Sequence, residues 1–120
     1  MTRIYNKDNI FFKIIEGKAN AEIIHENDFV LCFKDLFPRA PVHILIIPKN
    51  SYIDIYDFSV NSNDEEKKQI FYSIKFLIEK YNLVEKGYRI ITNSGKDGRQ
   101  EIPHLHFHLL AGKDIGKMTI

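Results

Sequence analysis

Cysteine is almost missing from this chain: Cys32 stands alone between Leu31 and Phe33. One cysteine cannot close an intrachain disulfide, which points to a reducing, cytoplasmic setting. The N-terminus "MTRIYNKDNIFFK" has no long apolar run and no small-residue cleavage site, so no signal peptide is expected. No run of apolar residues is long enough to span a bilayer, which excludes a membrane helix as an expectation. Charge of one sign is also missing. The formal net charge is +1, so the total gives no pull toward nucleic acid or an anionic membrane. Any phosphate binding must come from a local site. There is no internal repeat and no linker rich in Pro, Gly or Ser. The 120 residues then read as a single domain, 1–120, long enough to bury a core without disulfide or metal staples.

What is present is patterned. Ile10, Phe11, Ile14 and Ile15 follow a helical stripe, with Asp8 or Asn9 as cap and Gly17 as stop. "AEIIHE" and "FVLCFKD" read as strands around a tight turn at Asn27 and Asp28. Pro38 and Pro41 break the next segment. "VHILIIP" is a buried strand ended by Pro48, with His43 near its start. In "NDEEKKQIFYSIKFLIEKYNLVEKG", Ile70, Phe71, Ile74, Leu77, Ile78 and Tyr81 recur at helical spacing. Asp64, Glu65 and Glu66 sit where they favour the helix dipole. "GYRIITN" is a strand, "SGKDGRQE" a glycine-bearing loop and "PHLHFHLLAG" a last strand; "NSYIDIYDFSVNS" gives no clear signal. The expected class is α+β, an antiparallel sheet with helices on one side.

Three of the five histidines fall in the last strand segment, at His104, His106 and His108. On a strand they form a row on one face, neighbours roughly 7 Å apart, with Leu105, Phe107 and Leu109 turned the other way into a core. A single strand histidine is ordinarily a hydrogen-bonded structural ring. Three on one face are not explained by strand formation, and unpaired burial is costly. Two chemistries remain open. Catalytic zinc can use three histidines, although a straight row suits only two ligands. Phosphoryl or acyl transfer can use one imidazole as nucleophile and its neighbours to handle protons.

"HLHFHLL" resembles the His-φ-His-φ-His-φ-φ signature of the histidine triad (HIT) superfamily, φ being apolar. "NIFFKIIEGKANAEIIHENDFVLCFKDLFPRAPVHILIIPK" resembles that family's N-terminal half, and "GYRIITNSGKDGRQEIPHLHFHLLAGK" its C-terminal half. The branch looks Hint-like, whose members hydrolyse purine nucleoside phosphoramidates without a catalytic metal. The resemblance implies a five-stranded antiparallel sheet with a short N-terminal helix and one long helix. It also implies a homodimer whose two sheets join into ten strands.

Site roles follow from the same resemblance. His106 would attack the α-phosphorus and carry a nucleotidyl-histidine intermediate. A main-chain carbonyl near His104 would fix its tautomer. His108 would lie by the phosphoryl oxygens and leaving group. His104 and His43 would complete the polar cluster behind the nucleophile. Asp35 would hold the ribose hydroxyls and Asn93 the phosphate or leaving-group side. Ile10, Phe11, Ile14, Phe33, Leu36 and Leu45 would form the base slot. The loop "GKDGRQE" would lend backbone N–H groups, bordered by Gln100 and Glu101. His25 has no role in the pattern and is expected as a surface strand residue. Arg99, where many members have glycine, would add a cation near phosphate. Pro103, where an aromatic is common, fixes the backbone entering the triad. The paired cysteine and histidine zinc ligands of some members are absent, so no cofactor or structural zinc is expected. His108 stands where the transferase branch has glutamine, which favours hydrolysis. Neither nucleic acid nor membrane is an expected partner. Dinucleoside polyphosphate hydrolysis and a weakly catalytic nucleotide-binding adaptor are the alternatives.

Overall fold

The computed structural model describes residues 3–118. Five strands form one sheet: β1 (Ile23–Glu26), β2 (Val30–Lys34), β3 (Val42–Pro48), β4 (Arg89–Ile91) and β5 (Phe107–Ala111). Their spatial order is β1-β2-β3-β5-β4, and every neighbouring pair is antiparallel. The β1–β2 turn forms because Asn27 folds its side chain back, accepting from the N–H groups of Phe29 (2.8 Å) and Val30 (2.9 Å).

Three helices accompany the sheet. In α1 (Ile10–Ile15), the Asn9 side chain caps the first turn by accepting from the Phe12 N–H. In α3 (Asp64–Lys80), Asn63 and Glu66 form a reciprocal capping box. Between them lies α2 (Ile55–Asn61), capped by Asp54, inside the stretch that showed no pattern. It was hidden because its apolar residues do not share a face: Ile55, Tyr56 and Val60 are exposed and only Phe58 is buried.

The expectation of helices on one side of the sheet is corrected. Residues alternate across a strand. Val30 and Cys32 of β2 and Ile44 and Ile46 of β3 join Phe58 of α2 and Ile70, Ile74 and Leu77 of α3 in one core. Leu31, Phe33, Leu45 and Ile47 turn the opposite way and pack on Phe11 and Ile14 of α1. α1 therefore sits on the other face. Phe71 is also corrected: it points to solvent, 73% exposed, instead of joining the α3 core stripe. His25 is half-buried, its ring stacked on Phe76 at 4.3 Å between centroids, and is not a free surface residue.

The last strand is shorter than its alternation suggests. The ladder with β3 runs from Val42↔Ala111 to Ile46↔Phe107 and stops. Continuing it would set Pro48, which has no N–H, opposite Leu105. The Leu105 N–H turns instead to the Tyr52 carbonyl at 2.8 Å. His104 and His106 thus precede β5, and only His108 is inside it. Leu105 and Leu109 do enter the α3-side core, as the alternation requires, with Phe107 packed against it. At the far end, Gly112 has φ +94, and a Cβ there would meet Pro41 at 2.8 Å. Only glycine lets the chain leave β5 this close to β3.

Candidate active site

A cavity of about 560 Å³ opens on the α1 face of the sheet, a size suited to a small-molecule ligand. Ile10, Phe11, Ile14, Phe33, Leu36 and Leu45 line its apolar part. Phe11, Ile14, Phe33 and Leu45 are buried as a floor, whereas Leu36 (68% exposed) and Ile10 (40%) form the rim. Asp35, Asn93, Arg99, Gln100, Glu101, His43, His106 and His108 line the polar part. His104 is the exception: it is fully buried behind the cavity and does not line it.

The histidines are not equivalent, and their partners assign their protons. His106 Nδ1 lies 2.8 Å from the His104 carbonyl oxygen. A carbonyl only accepts, so Nδ1 carries the hydrogen and Nε2 keeps a free lone pair. Burial pushes the His106 pKa down, against the raising effects of that carbonyl, Asp35 and Glu101. Its ring packs edge-on to Phe11 at 4.9 Å and to His108 at 5.1 Å.

A second chain of bonds runs the other way. The Arg39 N–H donates to His43 Nδ1 at 3.1 Å. His43 Nε2 therefore carries its hydrogen and donates to His108 Nδ1 at 2.9 Å, with Asp35 Oδ2 nearby at 3.4 Å. His108 is left with its hydrogen on Nε2, a donor among the cavity-lining groups. Burial, followed by the charges of His106 and His43, holds its pKa down at about 4. Burial also lowers His43, with Asp35 opposing. The site thus offers a bare imidazole lone pair beside an imidazole N–H donor, both neutral near pH 7. That pairing suits nucleophilic attack with proton handling.

Asp35, His43 and His108 also offer one metal-ligand atom each, all within 4.8 Å of one another. A metal would need the lone pairs of both rings. The His43–His108 bond already uses one, and the Arg39 N–H holds His43 in the tautomer that donates. This donor set is arranged for proton transfer more than for a cation.

The loop after β4 spends part of its own set of N–H groups internally. The N–H groups of Gly95, Arg99 and Gln100 are spent within the loop, on Gln100 Oε1, the Lys96 carbonyl and the Gly95 carbonyl. The N–H of Glu101 makes no such bond among the described residues. The Gln100 side chain is a brace, donating to the carbonyls of Ile53 (2.7 Å) and Ile102 (3.0 Å). Arg99 sits at φ +59, a left-handed conformation that favours glycine. Arg99 and Arg39 both line the cavity and make no ion pair among the described residues.

Sequence reasoning passed over several contributors. Arg39 and Phe37 line the cavity mouth. Thr92 Oγ1 donates to the His106 carbonyl at 2.8 Å. The Tyr5 hydroxyl lies 2.6 Å from His104 Nδ1. Phe37 and Arg39 lie two and four residues after Asp35, and that proximity was the available signal. Thr92 and Tyr5 act across the fold and leave no local signal.

The model of the HIT domain matches residues 16–115. An uncharacterized HIT-like protein of Rickettsia prowazekii (strain Madrid E) is 46% identical over 112 residues, covering 93% of each chain. The purine nucleoside phosphoramidase of Escherichia coli (strain K12) is 37% identical over 112 residues, again with 93% of each chain covered. Among solved structures, a HIT family hydrolase from Clostridium thermocellum superposes with a TM-score of 0.85 at 36% identity, covering 96% of this chain and 99% of that one. The family match, these relatives and the five-stranded sheet carrying the histidines agree: the chain belongs to the HIT family.

Proposed function

We propose that this protein hydrolyses purine nucleoside 5′-phosphoramidates or related nucleotidyl conjugates, with His106 as nucleophile. The observation that carries the reading is the opposed tautomer pair, His106 Nδ1–H on the His104 carbonyl and His108 Nδ1 on His43. The Nε2 lone pair of His106 attacks phosphorus as the phosphorus–nitrogen bond breaks. The amine leaves with the His108 Nε2 proton, and solvent returns a proton to that nitrogen while His43 keeps His108 in this tautomer. Water then attacks phosphorus, the nucleotide leaves Nε2, and the proton returns to solvent. The developing charge on Nε2 is offset by the Nδ1–H bond to the His104 carbonyl, so the nucleophile needs no deprotonation. His108 Nε2–H steadies the phosphoryl oxygens or the leaving nitrogen.

The buried floor of Phe11, Ile14, Phe33 and Leu45 takes the flat base, and Asp35 takes the ribose hydroxyls. Asn93, whose side chain makes no hydrogen bond among the described residues, contacts the phosphate or leaving group. The name of the E. coli relative supports the substrate class. A homodimer joined through β4 fits the same reading: β4 is an outer strand, and Tyr88 and Ile90 beside and on it are exposed. A cytoplasmic setting fits the single, buried Cys32, whose thiol burial pushes up to about 12. The test is turnover of adenosine 5′-phosphoramidate by wild type and His106→Ala. A folded variant that turns over as fast as wild type would make the assignment wrong.

A second reading, dinucleoside polyphosphate hydrolysis, is favoured by Arg39 and Arg99, two cavity-lining cations that make no ion pair among the described residues. They suit additional phosphates. Comparing kcat/KM for diadenosine polyphosphate and for the phosphoramidate decides between the two.

A further inference from the structure

Behind the cavity, the first triad histidine is held on both ring nitrogens. His104 Nε2 lies 2.8 Å from the Pro48 carbonyl oxygen. That oxygen accepts, so Nε2 carries the hydrogen and Nδ1 is a bare acceptor. The Tyr5 hydroxyl, 2.6 Å away, must be its donor. The lone pair left on Tyr5 is met by Asn9 Nδ2, which donates at 3.0 Å and also reaches the Asn6 carbonyl at 2.8 Å. Asn9 is at the same time the cap of α1. Every donor and acceptor in the series Asn9, Tyr5, His104, Pro48 has one consistent direction. Burial raises the Tyr5 pKa and lowers that of His104 to about 4, so both groups keep these states at neutral pH.

None of these groups lines the cavity, yet His104, in the middle of the series, also holds the reacting ring through its main chain. The His104 carbonyl holds the Nδ1–H of His106 at 2.8 Å, which leaves Nε2 free to attack. This stretch lacks strand hydrogen bonds to β3, so its backbone is placed by other means. We propose that Tyr5 is a positioning residue for the nucleophile: its hydroxyl pins His104 from behind and so keeps the His104 carbonyl on His106. The proposal rests on His106 being the nucleophile. Without the hydroxyl, His104 Nδ1 has no donor, and the competing Nδ1–H tautomer would break the Pro48 bond. Either change lets the His104 peptide shift and loosens the proton assignment of His106.

Tyr5→Phe keeps the ring, which packs edge-on to His104 at 5.5 Å and Phe12 at 6.2 Å, and removes only the oxygen. Steady-state kinetics on a purine nucleoside 5′-phosphoramidate should show kcat down about ten-fold with KM within about two-fold. Imidazole ¹⁵N spectra supply a readout that a packing role would not move. Wild-type His106 should show a protonated Nδ1 and a bare Nε2, and Tyr5→Phe a mixture. Asn9→Ser removes the donor to Tyr5 while preserving a capping oxygen for α1. It should shift kcat the same way by about two- to three-fold, which keeps the proposal testable if Tyr5→Phe fails to fold. Unchanged kcat in a folded Tyr5→Phe, a change confined to KM, or an unaltered His106 spectrum would overturn it. His106→Ala separates the two levels. If that variant is inactive while Tyr5→Phe is normal, only the positioning role falls. If His106→Ala is active, the nucleophile reading falls with it.

Discussion

Replacing Glu66 with alanine tests whether the triad segment is held by its clamps as well as by the sheet. Glu66 is 6% exposed, at the third position of α3. Its carboxylate accepts from the Tyr52 hydroxyl at 2.7 and 2.9 Å, from Asn50 Nδ2 at 2.9 Å and from the Asn63 N–H at 3.1 Å. Burial works to raise its pKa, but the hydrogen bonds from Tyr52, Asn50 and Asn63 and the Lys67 charge hold it below the usual value. Alanine leaves the buried Tyr52 hydroxyl without an acceptor, costing about 1–3 kcal/mol. Loss of the capping box adds about 1 kcal/mol. Exposed Asn50 turns to water and costs little. The sum is about 2–4 kcal/mol. A chain of 120 residues loses about 4 °C in Tm per kcal/mol, so thermal unfolding should fall by about 8–16 °C. The Tyr52 carbonyl holds the Leu105 N–H between His104 and His106, so kcat should fall as well, at temperatures where the variant is fully folded. The pH dependence has a fixed sign. A depressed carboxylate stabilises above its ordinary pKa and loses that contribution as pH falls through the depressed value. The gap between wild type and Glu66→Ala should therefore narrow below about pH 4.5. A loss under about 0.5 kcal/mol by urea unfolding, or a gap that widens in acid, would refute the reasoning.

His43→Ala removes the donor that sets the His108 tautomer, and steady-state kinetics should show kcat down by about ten-fold with a smaller change in KM. His104 resists a proton until about pH 4 while the unfolded chain takes it near the ordinary 6.5. Stability is therefore fullest above pH 6.5 and falls by about 1.4 kcal/mol per pH unit as pH drops toward 4. Urea unfolding at pH 7 and pH 5 should show at least that loss, and equal stability at the two values would exclude it. Turnover should survive treatment with a chelator, because the proposed chemistry routes through no metal. Loss of activity with chelator, restored by zinc, would assign the Asp35, His43 and His108 cluster to a metal instead.

The strands, α1 and α3 were legible because each pattern has one cause. The unbroken apolar run of β2 follows from two packed faces, and Asn9 and Asn63 mark helix starts through their own side-chain bonds. α2 was not legible because Ile55, Tyr56 and Val60 are exposed, so burial imposes no period there. The side taken by α1 was hidden for another reason. A strand apolar at every position, like "VLCF", needs cover on both faces, but the pattern does not say which helix supplies which cover.

At the site, the catalytic and binding residues named by the resemblance, His104 apart, line one cavity, whereas spacing alone named only the three histidines of the last segment. Spacing put His104, His106 and His108 on one face as equals. The structure separates them by partners that are mostly backbone: the Pro48 and His104 carbonyls, and, through His43, the Arg39 N–H. Every residue type but proline carries both groups, so no residue identity in the sequence marks them. What the sequence does mark is where the ladder must fail, at Pro48. That failure frees the His104 carbonyl for His106 and leaves Tyr52, Thr92 and Tyr5 to hold the segment. The same irregularity that shortens β5 is therefore what makes its three rings chemically different.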